Sequence, residues 1–500
     1  MEDLLALVEI LNGFRIPQIE VVGNVTHADT RYQELYRMMT EQPDLSREEI
    51  AERFGVQVGE KSERRLFGEM KSRLMTTMIV SEIGSFSKDS YQAKFYRVSK
   101  QYAHIIMLNA LGRQKIAAEE AVRIYKEAVA MDFTEAIIKF DQLIIGYNGV
   151  HEYNPKIVEQ HQRSLERQFK IYRVESYLRM HGMGILGKFQ RKKVAKPELV
   201  EQVDTVLDGI PELPDDIDTT NYMTFYYLLK LIRTMCVHDY VHTIEVCQEA
   251  IVRLQKKRYV PGNPIITFYH NIIASQLYLK RYEAAAQTFV ASQPYADRAG
   301  AFNRLKHEEM KTSFFLHTGR FGEAVTTYQE VARTRIFKSQ TSHHRERWEL
   351  LAGWVHLAQQ LYGVLPEQPV PFRLARFLNS IPTFSMDKSG MNIQVLLLKV
   401  AFLLWRDDTD HLIDLEEGIR KYIQRYVQVE ENFRSRKMLA LYQVLVENDY
   451  DAPATRAQTT HLLAELSSQP PNQLDDAHDV EIVPYEMVWR FLLETAEYGK

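Results

Sequence analysis

Apolar residues in this chain recur at i, i+3, i+4 and i+7 in almost every segment. That spacing lays them along one stripe of an α-helix, whereas a half-buried strand needs strict alternation. In "YMTFYYLLKLIRTMC" (222–236), Tyr222, Phe225, Leu229 and Ile232 form the stripe, flanked by Tyr226, Lys230 and Arg233. Glycine and proline are scarce, 22 and 17 in 500 residues, which suits helices better than turn-rich sheet. The expected fold is all-α. A chain this long exceeds one ordinary core, so several domains or a stacked array are expected.

A repeated turn narrows the choice. "YLKRYEAAAQTF" (278–289) and "HTGRFGEAVTTY" (317–328) align without gaps, pairing Arg281 with Arg320, Tyr282 with Phe321, Ala285 with Ala324 and Phe289 with Tyr328. "VHDYVHTIEVC" (237–247) follows the same frame through Tyr240, Thr243 and Cys247, and the offsets are 42 and 39 residues. In each unit one helix should stop just before the turn, at Gly319 in the clearest case, and another should start at the aromatic. The aromatic fills the gap between two antiparallel helices, and the small residue three positions on lets them approach closely.

These residues resemble the tetratricopeptide repeat. Its turn and second-helix pattern is met by Lys280-Arg281-Tyr282-Ala285-Phe289 and by Gly319-Arg320-Phe321-Ala324-Tyr328. The spacing exceeds the family's usual ~34 residues, and Ile273 and Thr312 stand where its first helix carries a small residue. The resemblance covers roughly 221–335 and implies an α-solenoid of antiparallel helix pairs with a concave face for a peptide or protein. On that face the alignment places His270, Asn271, Ala274, Leu277 and Tyr278 in one unit, and Lys306, Glu309, Ser313 and His317 in the next. The family's clamp for a C-terminal carboxylate uses Lys and Asn. Lys306 and Asn271 are present, but the full set is not.

Four segments mix Pro or Gly with polar residues and read as loops: 82–90, 210–220, 362–371 and 467–479. They suggest a small helical N-terminal domain (1–95), divergent helical repeats (96–210), the repeats that resemble the family (211–362) and C-terminal helical repeats (363–500). From about residue 100 onward the chain reads as one quasi-linear array, with Val488, Trp489 and Leu492 on a terminal helix that closes its exposed end.

Several motifs carry a chemical reading and a plainer one. "GMGILGK" (182–188) matches G-x-G-x-x-G, but a dinucleotide site needs a strand before it, and Ile171, Val174, Tyr177 and Leu178 form a helical stripe instead. The glycines are expected to end that helix in a mobile loop. Cys236, His238, His242 and Cys247 cluster in sequence. Because Tyr240 sits at a repeat turn, the two histidines should fall on different helices, so no metal site is assigned. His343 and His344 read as surface residues. No cofactor is expected and no catalytic constellation survives, so the chain is read as non-enzymatic.

"DLSREEIAERFGV" (44–56) has Ser46 and Glu49 at capping-box positions and Gly55 as a C-cap, and a second helix follows over 62–80. The pair resembles a helix-turn-helix or winged-helix unit that would present Arg64, Arg65, Lys71 and Arg73 to DNA. Residues 31–73 carry nine basic and nine acidic side chains, and the whole chain has a net charge of −4. Neither favours phosphate, so nucleic acid is not expected as a partner. An acidic start and the lack of ~18 consecutive apolar residues argue against a signal peptide or membrane insertion. The two cysteines give no disulfide framework, and a cytoplasmic location is expected. The reading is a protein-interaction scaffold or adaptor. Its alternative is a regulator with an N-terminal DNA-binding unit and a ligand- or peptide-sensing array.

Overall fold

A computed structural model describes residues 2–13, 30–42, 45–80, 90–191, 196–212, 217–334, 337, 342–364, 369–374, 377, 391–408, 410–413, 415–416, 419, 433–469 and 481–498. Among these residues there are helices and no strands, and most helices pack mainly on their neighbours in the chain. The all-α, solenoid-like architecture is as the apolar period predicts. No described helix is long and apolar enough to cross a membrane.

Helices α1 (Glu2–Gly13), α2 (Thr30–Glu41), α3 (Arg47–Phe54) and α4 (Lys61–Val80) surround one small core that includes Val8, Leu35, Met39, Ile50 and Met70. The cap signals read in the sequence are both present. Ser46 and Glu49 form a reciprocal capping box, and Gly55 ends α3 at φ 63°.

The array proper starts with α5 (Tyr91–Ala110), α6 (Gln114–Ala130), α7 (Thr134–Val150), α8 (Pro155–Arg191) and α9 (Lys196–Asp208). It continues through α10 (Thr220–Cys236), α11 (Tyr240–Gln255), α12 (Gly262–Tyr278), α13 (Tyr282–Ala296), α14 (Ala301–His317), α15 (Phe321–Ala332) and α16 (Ser342–Leu361). The turns fall where the aligned units place them. Gly319 has φ 69°, and the Arg320 N–H reaches back to the Phe315 carbonyl at 2.8 Å. Lys280 and His238 adopt the same left-handed conformation at φ 54° and 57°, with equivalent bonds from Arg281 to Gln276 and from Asp239 to Thr234. This is the bond pattern of a Schellman helix end, where an αL residue satisfies the last carbonyls. It recurs at Gly112, at Asp132, where Phe133, Ala136 and Phe140 repeat the spacing of the aligned units, and at Gly363.

Ala285 and Ala324 are fully buried at the close approach of paired helices. Thr243 takes the same place in the earlier unit, its hydroxyl bonded to Thr234 Oγ1 and to the Asp239 carbonyl. The turn aromatics reach the next unit: Tyr240 lies against Tyr278 with tilted rings and centroids 3.8 Å apart, and Phe321 stacks on Tyr362 at 4.1 Å.

Two expectations are corrected. The glycines of "GMGILGK" do not end a helix, because α8 runs unbroken for 37 residues and carries all three in its interior. Gly182 sits against Phe225 and Leu229, a packing role that sequence spacing cannot distinguish from a loop. The last helix is not a terminal cap either. After α17 (Met391–Trp405), α18 (Phe433–Glu447) and α19 (Ala452–Ser468), helix α20 (Tyr485–Tyr498) returns to pack on α16 to α19. Phe491 lies 5.7 Å from Trp354 and 5.5 Å from Phe321. Val488, Trp489, Phe491 and Leu492 are all buried, and a helix apolar on so many sides belongs inside a core rather than over an end.

The array is therefore not quasi-linear to its end. One apolar cluster joins Ile273 to Ala496, and another runs from Ile171 to Ile272, across sequence positions 362 and 210. Most of loop 82–90, residues 470–479 and most of the helix expected over 418–429 lie outside the described residues.

Candidate functional site

The residues placed on the concave face by the repeat alignment all lie on α12 and α14, and most are buried. His270, Ala274 and Leu277 on α12 are buried, and Glu309, Ser313 and His317 on α14 are too. Asn271 and Tyr278 are half-buried. Asn271 donates to the Thr267 carbonyl of its own helix, and Tyr278 lies against Tyr240. The Lys306 ammonium meets Glu309 at 2.8 Å, and Arg347 on α16 meets the same carboxylate oxygen at 3.0 Å. Burial pushes the Glu309 carboxyl up, but these two cations outweigh it and hold it well below its usual range.

Ser313 and His317 are brought together, one helical turn apart, and the main chain of residues 481–485 is seated on them. Ser313 Oγ donates to the Ile482 carbonyl at 2.6 Å, and His317 Nε2 lies 3.1 Å from the same oxygen. Gln394 on α17 grips the next residue from both sides. Its Nε2 donates to the Val483 carbonyl at 2.7 Å and its Oε1 accepts from the Val483 N–H at 3.4 Å. Arg434 on α18 forms a fork on the Glu481 carboxylate at 2.5 and 2.8 Å and reaches Glu486 at 2.6 Å. Burial opposes the Arg434 charge, but the paired carboxylates more than offset this and raise its pKa. Lys280, at a repeat turn, adds a 3.2 Å contact to Glu486. The helices thus hold the bend that leads into α20 by its main chain and by one buried acidic side chain.

Sequence reasoning found Ser313 and His317 but missed Gln394, Arg434 and Glu481. One signal was present: Gln394 is a polar residue inside the apolar run "NIQVLLLKVAFLLW" and is fully buried. Such a residue needs a buried partner.

Elsewhere on α12 and α14, the His270 and His307 rings stack with centroids 5.6 Å apart, and Phe289 lies 5.4 Å from His307. Burial, then the neighbouring His307, lowers His270 to about 3, and burial lowers His307 to about 4. His307 finds no hydrogen-bond partner at either ring nitrogen among the described residues. A polar cleft of about 380 Å³ opens between α9, α10 and α11, lined by Asp204, Asp208, Lys230, Arg233 and His242 among others.

The cysteine–histidine group does not converge. His238 lies in the turn with Nδ1 3.0 Å from the Tyr240 hydroxyl, and His242 begins α11 with Nδ1 3.0 Å from Glu245. Cys236 and Cys247 are buried in the apolar core, where burial raises the Cys247 thiol. His343 and His344 lie outside the described side chains.

On α4, Arg64, Arg65 and Lys71 are exposed. Arg65 pairs with Glu69, Arg64 donates to the Gly59 carbonyl, and the Arg73 guanidinium lies over the Tyr32 ring at 4.1 Å. Arg64, Arg65 and Arg73 are thus engaged within the domain itself.

No protein-family model matches this chain, and neither a curated protein nor a solved structure is detectably similar to it.

Proposed function

We propose that the protein is a non-enzymatic scaffold or adaptor, a solenoid resembling tetratricopeptide repeats that binds a protein or peptide through its helices. The observation that carries this reading is the seating of residues 481–485. Ser313 on α14 and Gln394 on α17 bond the carbonyls of the bend before α20, and Arg434 on α18 holds the Glu481 carboxylate beside it. The polar cleft beside α10, where Arg233 pairs with Asp204, offers a second surface in the preceding unit.

Full-length protein purified from its source, cross-linked and digested for mass spectrometry tests this reading. The expected result is a stoichiometric protein partner that re-forms a complex when purified separately, with cross-links on Lys230, Lys280 or Lys306. Cross-links confined to α1–α4 together with co-purifying duplex DNA would favour the regulator reading instead. The engagement of Arg64, Arg65 and Arg73 within the N-terminal domain argues against that outcome.

A further inference from the structure

Helix α8 has a second face that its own core leaves unused. Its inward stripe, Ile171, Val174, Leu178 and Ile185, is buried against α10 and its neighbours. On the outward side Phe169, Tyr172, Met180 and Met183 are 48, 40, 66 and 54% exposed. They follow helical spacing over about 21 Å, close to four turns. A scattered exposed apolar residue needs no explanation, but an aligned run of four large ones does.

Charge indicates what covers it. From Arg163 to Arg191 the helix carries seven basic residues against two acidic ones, Glu166 and Glu175. Glu175 is buried and bonded to Thr219, so its charge is withdrawn from the outward face. Lys170 and Arg173 flank Phe169 and Tyr172, are exposed, and make no hydrogen bond or ion pair among the described residues. Farther along, the basic residues are engaged: Arg179 lies over the Phe225 ring and Lys188 donates to Gln202. The half that carries Met180 and Met183 is therefore an apolar surface. Gly184 lies beside it, with open space where a side chain would project.

We propose that this outward face of α8 docks an acidic amphipathic helix from another protein. The partner's apolar stripe would cover Phe169, Tyr172, Met180 and Met183, and its carboxylates would pair with Lys170 and Arg173. Methionines adapt to the shape of an incoming apolar side chain, and an amphipathic helix is read through anchors at i, i+3, i+4 and i+7. A second copy of α8 carries the same positive charge and is repelled. A nucleic-acid strand would find unengaged cations at one half only. A lipid surface needs a wider apolar face than a helix whose other side is already buried. The surface lies apart from residues 481–485 and does not depend on their role.

The test uses full-length protein as bait for a displayed library of 20-residue helical peptides. Enriched peptides should be net acidic, with apolar residues at helical spacing. Binding should weaken at least tenfold on Lys170→Glu/Arg173→Glu and on Phe169→Ser/Met180→Ser. All four side chains are exposed, so circular dichroism of the variants should match the parent. A version of the best peptide with its acidic residues changed to Lys should recover binding to the charge-reversed protein, which simple unfolding could not produce. Enrichment of basic or proline-containing extended peptides would overturn the proposal. So would indifference to the substitutions, or tighter binding of a 20-nucleotide single strand or of phosphatidylserine vesicles.

Discussion

His270, His307 and His317 are buried on α12 and α14, and burial is the chief cause that lowers them to about 3, 4 and 4. Lys306 and Glu309 act on His270, Lys311 and Asp297 on His307, and the Ile482 carbonyl, Glu486 and Arg434 on His317. A histidine that stays neutral in the fold but protonates near pH 6.5 when unfolded binds fewer protons folded than unfolded. Stability is then full above about pH 6.5 and is lost as pH falls toward 4. Each residue accounts for roughly 2 kcal/mol by pH 5. The depressed Glu309 adds a loss of the same sign at still lower pH. The urea midpoint should fall between pH 7.5 and 5.0, and His307→Leu should flatten that fall by about one histidine's share. Parallel pH profiles for parent and variant would show that the buried pair does not control acid sensitivity.

At the scale of elements, α8 shows how one spacing can belong to two structures. Gly184 and Gly187 lie inside a continuous helix with nothing within 4 Å of an added Cβ. Gly costs a helix interior roughly 0.5–1 kcal/mol relative to Ala. Gly184→Ala and Gly187→Ala should each stabilise the protein by about that amount, read as a higher urea midpoint at pH 7.5. Glycines of a phosphate-binding loop would respond in the opposite direction, because they are needed for turn geometry and close backbone approach. Gly319 is the contrast within this chain. It sits at φ 69°, where a side chain is strained.

At the scale of the whole molecule, the array from α12 onward is held together by its last helix. Helix α20 and residues 481–485 share one apolar cluster with α12 to α16 and bury Trp489, Phe491 and Leu492. Arg434, Glu481 and Glu486 form a buried charged network whose members depend on one another, and breaking such a network by removing one side is strongly destabilising. A chain ending at Gln469 should therefore lose more than the last helix. Its melting temperature should drop sharply, and limited proteolysis should reach α14 to α16. Unchanged melting and protection would restore the reading of α20 as a dispensable cap.

Local rules made much of this fold legible in the sequence. The apolar period specified helices, and Gly319 and Lys280 with the following Phe321 and Tyr282 specified where pairs turn. Ser46, Glu49 and Gly55 specified both ends of α3. These signals are local because capping, αL turns and helical stripes depend on residues a few positions apart. The turn at Gly363 shares the backbone without the signature, since main-chain bonds make the turn and several side chains tolerate it. Ser313 and His317 were legible as members of one helix face, but nothing nearby in sequence tells that Ile482 sits on them, 169 and 165 residues away. The meeting of Arg434 with Glu481 and the return of α20 into the array are likewise long-range. Tertiary packing alone decided them, because a buried carbonyl or carboxylate takes whichever donor the folded core brings within reach.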